Sequence, residues 1–183
     1  MDGKTLTNAS AIDRSKTDFY ATPGEVTEAL VRYFKLCNLH ILEPACGQGH
    51  MSKVLAKTNI VSSYDFYDDS YGRGGEDFLK RKICNTDWII TNPPFKMAEE
   101  FIRHAWSFNC KFAFLLKSQY WHASSRTSLF HDCRPSHILA LNWRPDFHFG
   151  TKGGSPTMEC LWAVWNRENT KTEYDILKKH VRQ

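Results

Sequence analysis

The chain has 183 residues, of which 42% are hydrophobic and 24% are charged, a balance typical of one globular domain with a full core. No run approaches the ~18 consecutive apolar residues of a transmembrane helix, and the polar residues 1–18 lack the apolar core of a secretion signal. The six cysteines form no Cys-x-x-Cys metal motif, and a formal net charge of +4 permits an anionic partner without requiring one. We therefore expect a cytoplasmic protein with reduced core thiols, without a metal, and with residues 1–18 as a flexible arm.

The predicted elements begin with a helix whose start signal is Thr22-Pro23-Gly24-Glu25. The threonine can cap this helix, the proline suits the first helical position, and the glutamate lies three residues after the cap. Periodicity and breakers then predict, in chain order, a strand at 39–42, a helix at 50–57, a strand at 59–65, a stub of strand at 76–79, a strand at 87–91, a helix at 96–108, a strand at 111–117, a short helix at 124–131, strands at 137–143 and 158–165, and a final helix at 169–183.

Strands that alternate with helices predict an α/β fold with a mostly parallel sheet covered on both faces. The last two strands have no predicted helix between them, so we expect them to form an antiparallel hairpin at one edge of the sheet.

Polar residues and glycines follow several of the predicted strands, at the edge where ligands of open parallel sheets bind. Gly47 and Gly49 allow the backbone to approach a ligand closely, although a tight strand-to-helix turn explains them as well. Asp65 lies 18 residues after Gly47, where an acid can take the ribose hydroxyls of a nucleoside cofactor. The alternative is a solvated loop acid, and Asp68 and Asp69 are rival candidates for the ribose.

The stretch Asn92-Pro93-Pro94-Phe95 stops a buried strand at a rigid corner. The Asn92 side-chain oxygen and a proline carbonyl can accept the two N–H bonds of a planar amino group, which frees its lone pair to attack an electrophile. Phe95 offers a face on which a planar group can stack. The alternative is a simple strand-terminating turn.

These motifs together resemble the amino-methyltransferases that use S-adenosylmethionine (SAM), in the gamma order of motifs. YATP at Tyr20–Pro23 resembles the motif before the sheet, LEPACGQG at Leu42–Gly49 the SAM glycine motif, and Asp77-Phe78 the pair that contacts the cofactor adenine. NPPF at Asn92–Phe95 is similar to the catalytic motif of adenine-N6 enzymes. The closest resemblance is to compact, stand-alone DNA adenine methyltransferases of the kind found in phages.

The resemblance implies a Rossmann-like SAM-dependent methyltransferase fold with a seven-stranded sheet. It implies one methyltransferase domain over 19–183, without a separate target-recognition domain. It also implies catalytic roles for Asn92, Pro93, Pro94 and Phe95. The cofactor-binding residues that it implies are Tyr20, Thr22, Glu43, Ala45, Gly47, Gly49, Asp65, Asp77, Phe78 and Asn92.

The region after the catalytic motif supplies the predicted substrate contacts. Between Lys117 and Lys152 the formal balance is +3, and we expect its loops to hold a nucleic-acid backbone through Arg126 and Lys152. Phe147 and Phe149, with Phe95, are candidates for packing against an extruded base. His148 is interpreted as a loop residue, because methylation of an amine needs no strong base.

The sequence thus predicts transfer of a methyl group from SAM to adenine N6 in double-stranded DNA. The same corner would also serve cytosine N4, an RNA adenine or a protein glutamine. A SAM- or DNA-binding protein without turnover is the remaining alternative.

Overall fold

The computed structural model describes residues 21–147 and 155–179. Its helices and strands, in chain order, are α1 (Gly24–Phe34), β1 (His40–Glu43), α2 (His50–Leu55), β2 (Ile60–Ser63), β3 (Trp88–Thr91), α3 (Ala98–Ser107), β4 (Lys111–Lys117), α4 (Thr127–Asp132), β5 (His137–Leu141), β6 (Cys160–Trp165) and β7 (Glu173–Leu177). Short 3₁₀ helices cover Phe78–Lys80, Phe95–Met97, Ser118–His122 and Ser124–Arg126. The predicted arm at 1–18 and the predicted site residues Tyr20, Phe149 and Lys152 lie outside the described residues, as does His148, which was interpreted as a loop residue.

The strands form one seven-stranded sheet in the order β2-β1-β3-β4-β6-β5-β7. The pairs among β2, β1, β3 and β4 are parallel, as is β5 with β7, whereas β6 runs antiparallel to both β4 and β5. The predicted mostly parallel α/β sheet is therefore confirmed, and so is the antiparallel pair formed by the strands at 137–141 and 160–165.

Two details of the sheet prediction are wrong. The expected final helix at 169–183 contains strand β7 instead, so the antiparallel pair lies inside the sheet rather than at its edge. The open side of β5 provides a parallel partner over five residue pairs, from His137 with Glu173 to Leu141 with Leu177, and this pairing overrides any helical tendency of the segment.

The expected strand stub at 76–79 is also wrong, because the chain forms a 3₁₀ helix there. Asp77 caps it, with its Oδ1 accepting a hydrogen bond from the backbone N–H of Leu79 at 3.0 Å. The predicted number of seven strands is confirmed, but the seventh strand is β7, at an edge of the sheet, and not the stub at 76–79.

Apolar side chains cover both faces of the sheet. Along β4, Ala113 and Leu115 point to a core shared with α1 and α2, whereas Phe112, Phe114 and Leu116 point to a core shared with α3 and α4. The alternation follows from the two-residue period of a strand, and burial on both faces explains why the sequence of β4 reads as a continuous apolar run.

The start of α1 differs from its predicted capping. Pro23 is the N-cap residue, and no side chain caps the helix. Thr22 instead accepts a hydrogen bond through its Oγ1 from the Nδ2 atom of Asn92, at 3.2 Å. This hydrogen bond therefore links Thr22, just before α1, to the residue that follows β3.

The six cysteines are all free thiols. Cys46, Cys133 and Cys160 are buried, Cys84 and Cys110 are half-buried, and Cys37 is exposed, so the predicted core location holds for three of them. Within residues 21–147 and 155–179, no helix is long and apolar enough to cross a membrane, and no group of three potential metal ligands occurs.

Candidate active site

The order of the strands places a crevice between β1 and β3. From β1 the chain moves to β2 on one side and then returns to β3 on the other, so the strand order reverses at this point. Ligands of open α/β sheets bind beyond the carboxyl ends of the strands where such a reversal occurs. The glycine turn follows β1 and the Asn92 corner follows β3, so the two motifs flank this crevice.

The glycine turn after β1 is built from residues with left-handed backbone conformations. Gly47 has φ 49° and Gly49 has φ 76°, values that side-chain-bearing residues rarely adopt. A Cβ atom at Gly49 would also overlap the ring of Tyr71, which packs directly against it. The backbone N–H of Tyr71 donates a hydrogen bond to the Gly47 carbonyl at 2.7 Å, so the loop after β2 holds the turn in place.

Asp65 connects this loop to the glycine turn. Its Oδ2 accepts a hydrogen bond from the Gly47 N–H at 2.7 Å, and its Oδ1 accepts one from the Tyr67 N–H at 3.0 Å. The side chain is buried, with 7% of the residue exposed. A carboxylate has about four acceptor positions, so Asp65 could still accept ribose hydroxyls while it holds the turn. The rivals Asp68 and Asp69 are exposed.

The Asn92 corner is organised by two neighbouring elements. The Nδ2 atom of Asn92 donates a hydrogen bond to Thr22, just before α1, which leaves the amide oxygen on the other side of the group. Pro94 precedes the 3₁₀ helix Phe95–Met97, and its carbonyl accepts a hydrogen bond from Met97 N–H at 2.9 Å. Pro93 is buried and Phe95 is half-buried.

Phe95 carries a cation on one face. The Nζ atom of Lys117 lies 4.0 Å from the centroid of the Phe95 ring. Lys117 is the last residue of β4, which pairs with β3 so that Thr91 is opposite Phe114. The adjacent ends of the two strands therefore bring an ammonium onto the aromatic ring of the predicted catalytic motif.

Glu43, at the end of β1, belongs to a buried polar network. Ser52 donates a short hydrogen bond to its Oε2, and the Ser52 and Ser63 hydroxyl oxygens are 2.5 Å apart. Removal from water raises the pKa of Glu43 to about 8, outweighing the opposite effect of the Ser52 hydrogen bonds. Burial raises the pKa of the Cys46 thiol as well, and burial with the nearby Lys53 ammonium lowers the pKa of His50.

The other predicted cofactor contacts lie near the same edge but are partly committed to packing. Phe78 is buried beside α3, with its ring centroid 4.9 Å from that of Phe101. Asp77 caps the 3₁₀ helix, and Ala45 packs against the same core as Phe78. Their contacts with a cofactor, like that of Glu43, stay predictions.

The predicted substrate-contacting residues are more dispersed. Phe147 is buried in the core shared with α1, with 6% of the residue exposed. Arg126 donates a hydrogen bond to the Tyr120 carbonyl at 3.0 Å and lies over the Tyr120 ring at 4.0 Å. The segment between β4 and α4 is largely 3₁₀ helix, and this packing of Arg126 holds it together.

Two features of the site were missed by the sequence interpretation. The Ser52 and Ser63 hydroxyls that surround Glu43 carry no signal in a single sequence, because they converge only when α2 packs on β1 and β2. Lys117 served in the sequence interpretation only as the first residue of the basic stretch, although its place at the carboxyl end of a predicted strand puts it at the ligand edge. Its contact with Phe95, however, requires knowing that β3 and β4 are neighbours.

Comparison with solved structures finds the same fold in other proteins. A proposed class I SAM-dependent methyltransferase from Listeria monocytogenes matches with a TM-score of 0.63 over 88% of this chain and 67% of its own, at 14% identity. A modification subunit of a proposed type I restriction enzyme from Vibrio vulnificus YJ016 matches with a TM-score of 0.63 over 95% of this chain and 51% of its own, at 13% identity. A proposed hemolysin from Lactococcus lactis matches with a TM-score of 0.59 over 81% of this chain and 89% of its own, at 11% identity. The chain therefore spans about half the length of the restriction subunit.

No protein-family model matches the sequence, and the search of curated proteins found no match. At the identities above, the structural likeness shows the fold and not the substrate. The chain has the Rossmann-like α/β fold of the SAM-dependent methyltransferases, as the sequence predicted. Methyltransferases of this fold use SAM, which is the cofactor that the sequence predicts.

Proposed function

We propose that this chain transfers a methyl group from SAM to the N6 amino group of adenine in DNA. The observation that carries the proposal is the hydrogen bond from Asn92 Nδ2 to Thr22, at 3.2 Å, beside the crevice between β1 and β3. This hydrogen bond orients the amide so that its oxygen can act as an acceptor, which is the role that the chemistry requires of it.

The amino group of adenine is a weak nucleophile, because its lone pair is delocalised into the ring. The Asn92 oxygen and the Pro93 carbonyl would accept its two N–H bonds, and Phe95 would support the ring by stacking. The amine lone pair would then form a bond to the methyl carbon as the carbon–sulfur bond breaks and its electron pair stays on sulfur. The methylated amine afterwards releases one proton to water, so no strong base is needed.

The residues around the crevice fit SAM by their chemistry. The left-handed glycine turn lets the backbone approach a ligand, and Asp65 has acceptor capacity left for two ribose hydroxyls. The bound cofactor would supply an electrophilic methyl group. Asp77 lies on the loop that leads from β2 towards β3, where the resemblance places an adenine contact.

A DNA acceptor is favoured over the rival amino groups by the NPPF form of the motif and by the basic balance of the stretch from Lys117 to Lys152. Extrusion of the base from duplex DNA would cost a few kcal/mol, which stacking on Phe95 and phosphate contacts would offset. Cytosine N4, RNA adenine and glutamine remain as acceptors that an assay must separate.

The decisive experiment supplies labelled SAM with plasmid DNA, total RNA and protein extract in parallel. Mass spectrometry of the digested products then identifies the methylated nucleoside or residue. We expect N6-methyl-deoxyadenosine from the wild-type protein and from Asn109→Ala, a control at an exposed asparagine in the loop before β4. Asn92→Ala should yield none. A label found only in RNA, in cytosine or in protein would replace the DNA adenine assignment, and no label in any of the three would exclude methyl transfer to DNA, RNA or protein.

A further inference from the structure

The contact between Lys117 and Phe95 places a charge on one face of the ring that the proposed function uses for stacking. The Lys117 Nζ atom is 4.0 Å from the Phe95 ring centroid. A base stacked on the same face would bring its own atoms to about 3.5–4.0 Å from the ring. The ammonium and the base therefore cannot occupy this face of Phe95 together.

The ammonium also opposes the chemistry if it stays at the ring. The attacking amine becomes positively charged as its lone pair bonds to the methyl carbon, and a second positive charge a few ångströms away disfavours that change. Lysine has a flexible four-carbon stem with a compact charge at its end, so it can move a short distance to a new partner. In nucleic acid, the anionic groups nearest to an acceptor base are its flanking phosphates.

Other basic residues of this region are held by contacts of a different kind. Arg144 is paired with Glu159 at 2.7 Å, and Arg126 is bound to the Tyr120 carbonyl. Moving the Arg126 guanidinium would remove the donor of that carbonyl. If Lys117 left the Phe95 ring, the stacked acceptor ring would cover that face in its place.

We propose that Lys117 covers the acceptor face of Phe95 in the free protein and selects acceptors that carry a phosphate beside the amine, by moving its ammonium from the ring to that phosphate. This inference rests on the proposed function, because it takes Phe95 as the surface that receives the acceptor. It deepens that function by assigning the preference for a polyanionic acceptor to one side chain. A neutral acceptor would have to displace the ammonium without offering it a partner.

The test compares Lys117→Ala with wild type on two acceptors, a duplex oligonucleotide and the neutral nucleoside deoxyadenosine, at saturating SAM. With the oligonucleotide, loss of a phosphate contact should lower kcat/KM about tenfold and make the slope of log affinity against log salt shallower by about 1. With deoxyadenosine, removal of the cation from the ring should raise kcat/KM about two- to thirty-fold.

Lys111→Ala is the matched control, because Lys111 is the first residue of the same strand and lies at the end of β4 opposite to Lys117. Lys111→Ala should keep kcat/KM for both acceptors within about twofold of the wild-type value. Lys117→Arg keeps a cation and should restore the preference for DNA. The melting temperatures of all variants verify that they fold, and a variant that was merely misfolded would lose activity on both acceptors.

The outcomes separate this inference from the function on which it rests. A wild-type protein that methylates no acceptor overturns both. A wild-type protein that methylates DNA, with Lys117→Ala behaving like Lys111→Ala, overturns only the role of Lys117. If kcat/KM for deoxyadenosine is equal or lower in Lys117→Ala than in wild type, the ammonium does not cover the acceptor face.

Discussion

Asn92 is the residue on which the proposed chemistry depends most directly. Its Nδ2 atom is held by Thr22, and its backbone follows a strand whose four residues are all buried, so the side chain is oriented from two sides. A preorganised polar group of this kind contributes to the rate without a cost of reorganisation during the reaction. The Asn92 amide should therefore matter for catalysis much more than for cofactor affinity.

We predict that Asn92→Ala lowers the rate of methyl transfer by about 10²–10³-fold and leaves SAM affinity within a few-fold of wild type. Single-turnover kinetics measure the first quantity and calorimetric titration the second. Thr22→Val removes the orienting hydroxyl but keeps the shape of the side chain, and should cause a smaller rate loss of the same type. If Asn92→Ala abolished SAM binding instead, the asparagine would belong to the cofactor site.

At the scale of elements, β1, α2 and β2 are joined by the buried network of Glu43, Ser52 and Ser63. Glu43 is only 2% exposed, and burial raises its pKa to about 8, against an ordinary value of 4.5. The carboxyl group therefore remains protonated in the folded protein at pH values where it is ionised in the unfolded chain. Between these two pKa values, the folded state binds more protons than the unfolded state.

This difference sets the sign of a pH dependence. The contribution of Glu43 to the free energy of unfolding should be constant below about pH 4.5, fall as the pH rises towards about 8, and level off above that value. The steepest slope for one proton is about 1.4 kcal/mol per pH unit. Urea unfolding of wild type and Glu43→Gln across this range measures the contribution, and the glutamine variant should lack the decline.

Glu99→Gln is the matched control for this prediction. Glu99 lies on α3 in an exposed ion pair with Arg103, at 3.0 Å. Surface pairs of this kind contribute about 0–1 kcal/mol, so the variant should follow the wild-type pH profile closely. A wild-type stability that did not decline relative to Glu43→Gln between pH 4.5 and 8 would contradict the protonated state of Glu43.

Elements with a strong local pattern were predictable from the sequence, and those that depend on a distant partner were not. The apolar run of β4 and the helical periodicity of α3 identify both elements without further information. The segment that forms β7 has weak periodicity, and its conformation is decided by the free edge of β5. The 3₁₀ helix at Phe78–Lys80 depends on one capping side chain, Asp77, in a segment that otherwise reads as extended.

In the candidate site, too, features with a local sequence pattern were predictable and contacts with distant residues were not. The glycine turn, Asp65 and the Asn92 corner were identified because strand ends in a parallel sheet converge at one edge. The hydrogen bond between Thr22 and Asn92 joins residues 70 positions apart, so the sequence offered a local role for Thr22 as a helix cap instead. The role of the basic stretch as a nucleic-acid contact stays a prediction, and sequence alone did not show that Arg126 and Arg144 make contacts within the protein.

For the whole molecule, the proposed cofactor site couples SAM binding to global stability. The crevice is formed by β1, β3 and the loop after β2, which belong to one sheet with a core on each face. A ligand bound there must dissociate before the domain unfolds, so its binding free energy adds to the stability of the folded state. The carboxylate of Asp65 contributes to both the stability of the fold and the binding of SAM, because it holds the glycine turn and is the proposed partner of the ribose hydroxyls.

We predict that SAM at about 100 times its dissociation constant stabilises the protein by about 2.7 kcal/mol. For a domain of this size, the melting temperature should rise by about 5–10 °C. Asp65→Ala should show a much smaller rise at the same SAM concentration, because loss of charge-assisted hydrogen bonds worth roughly 1.5–3 kcal/mol weakens affinity by about one to two decades. Asp65→Ala should also melt at a lower temperature without ligand, since the N–H groups of Gly47 and Tyr67 lose their acceptor.

The matched control is Asp68→Ala, which removes an exposed acid three residues away and should respond to SAM as wild type does. A full response in Asp65→Ala with a loss in Asp68→Ala would assign the ribose contact to Asp68 instead. No rise of the wild-type melting temperature with SAM would mean that this crevice does not bind SAM.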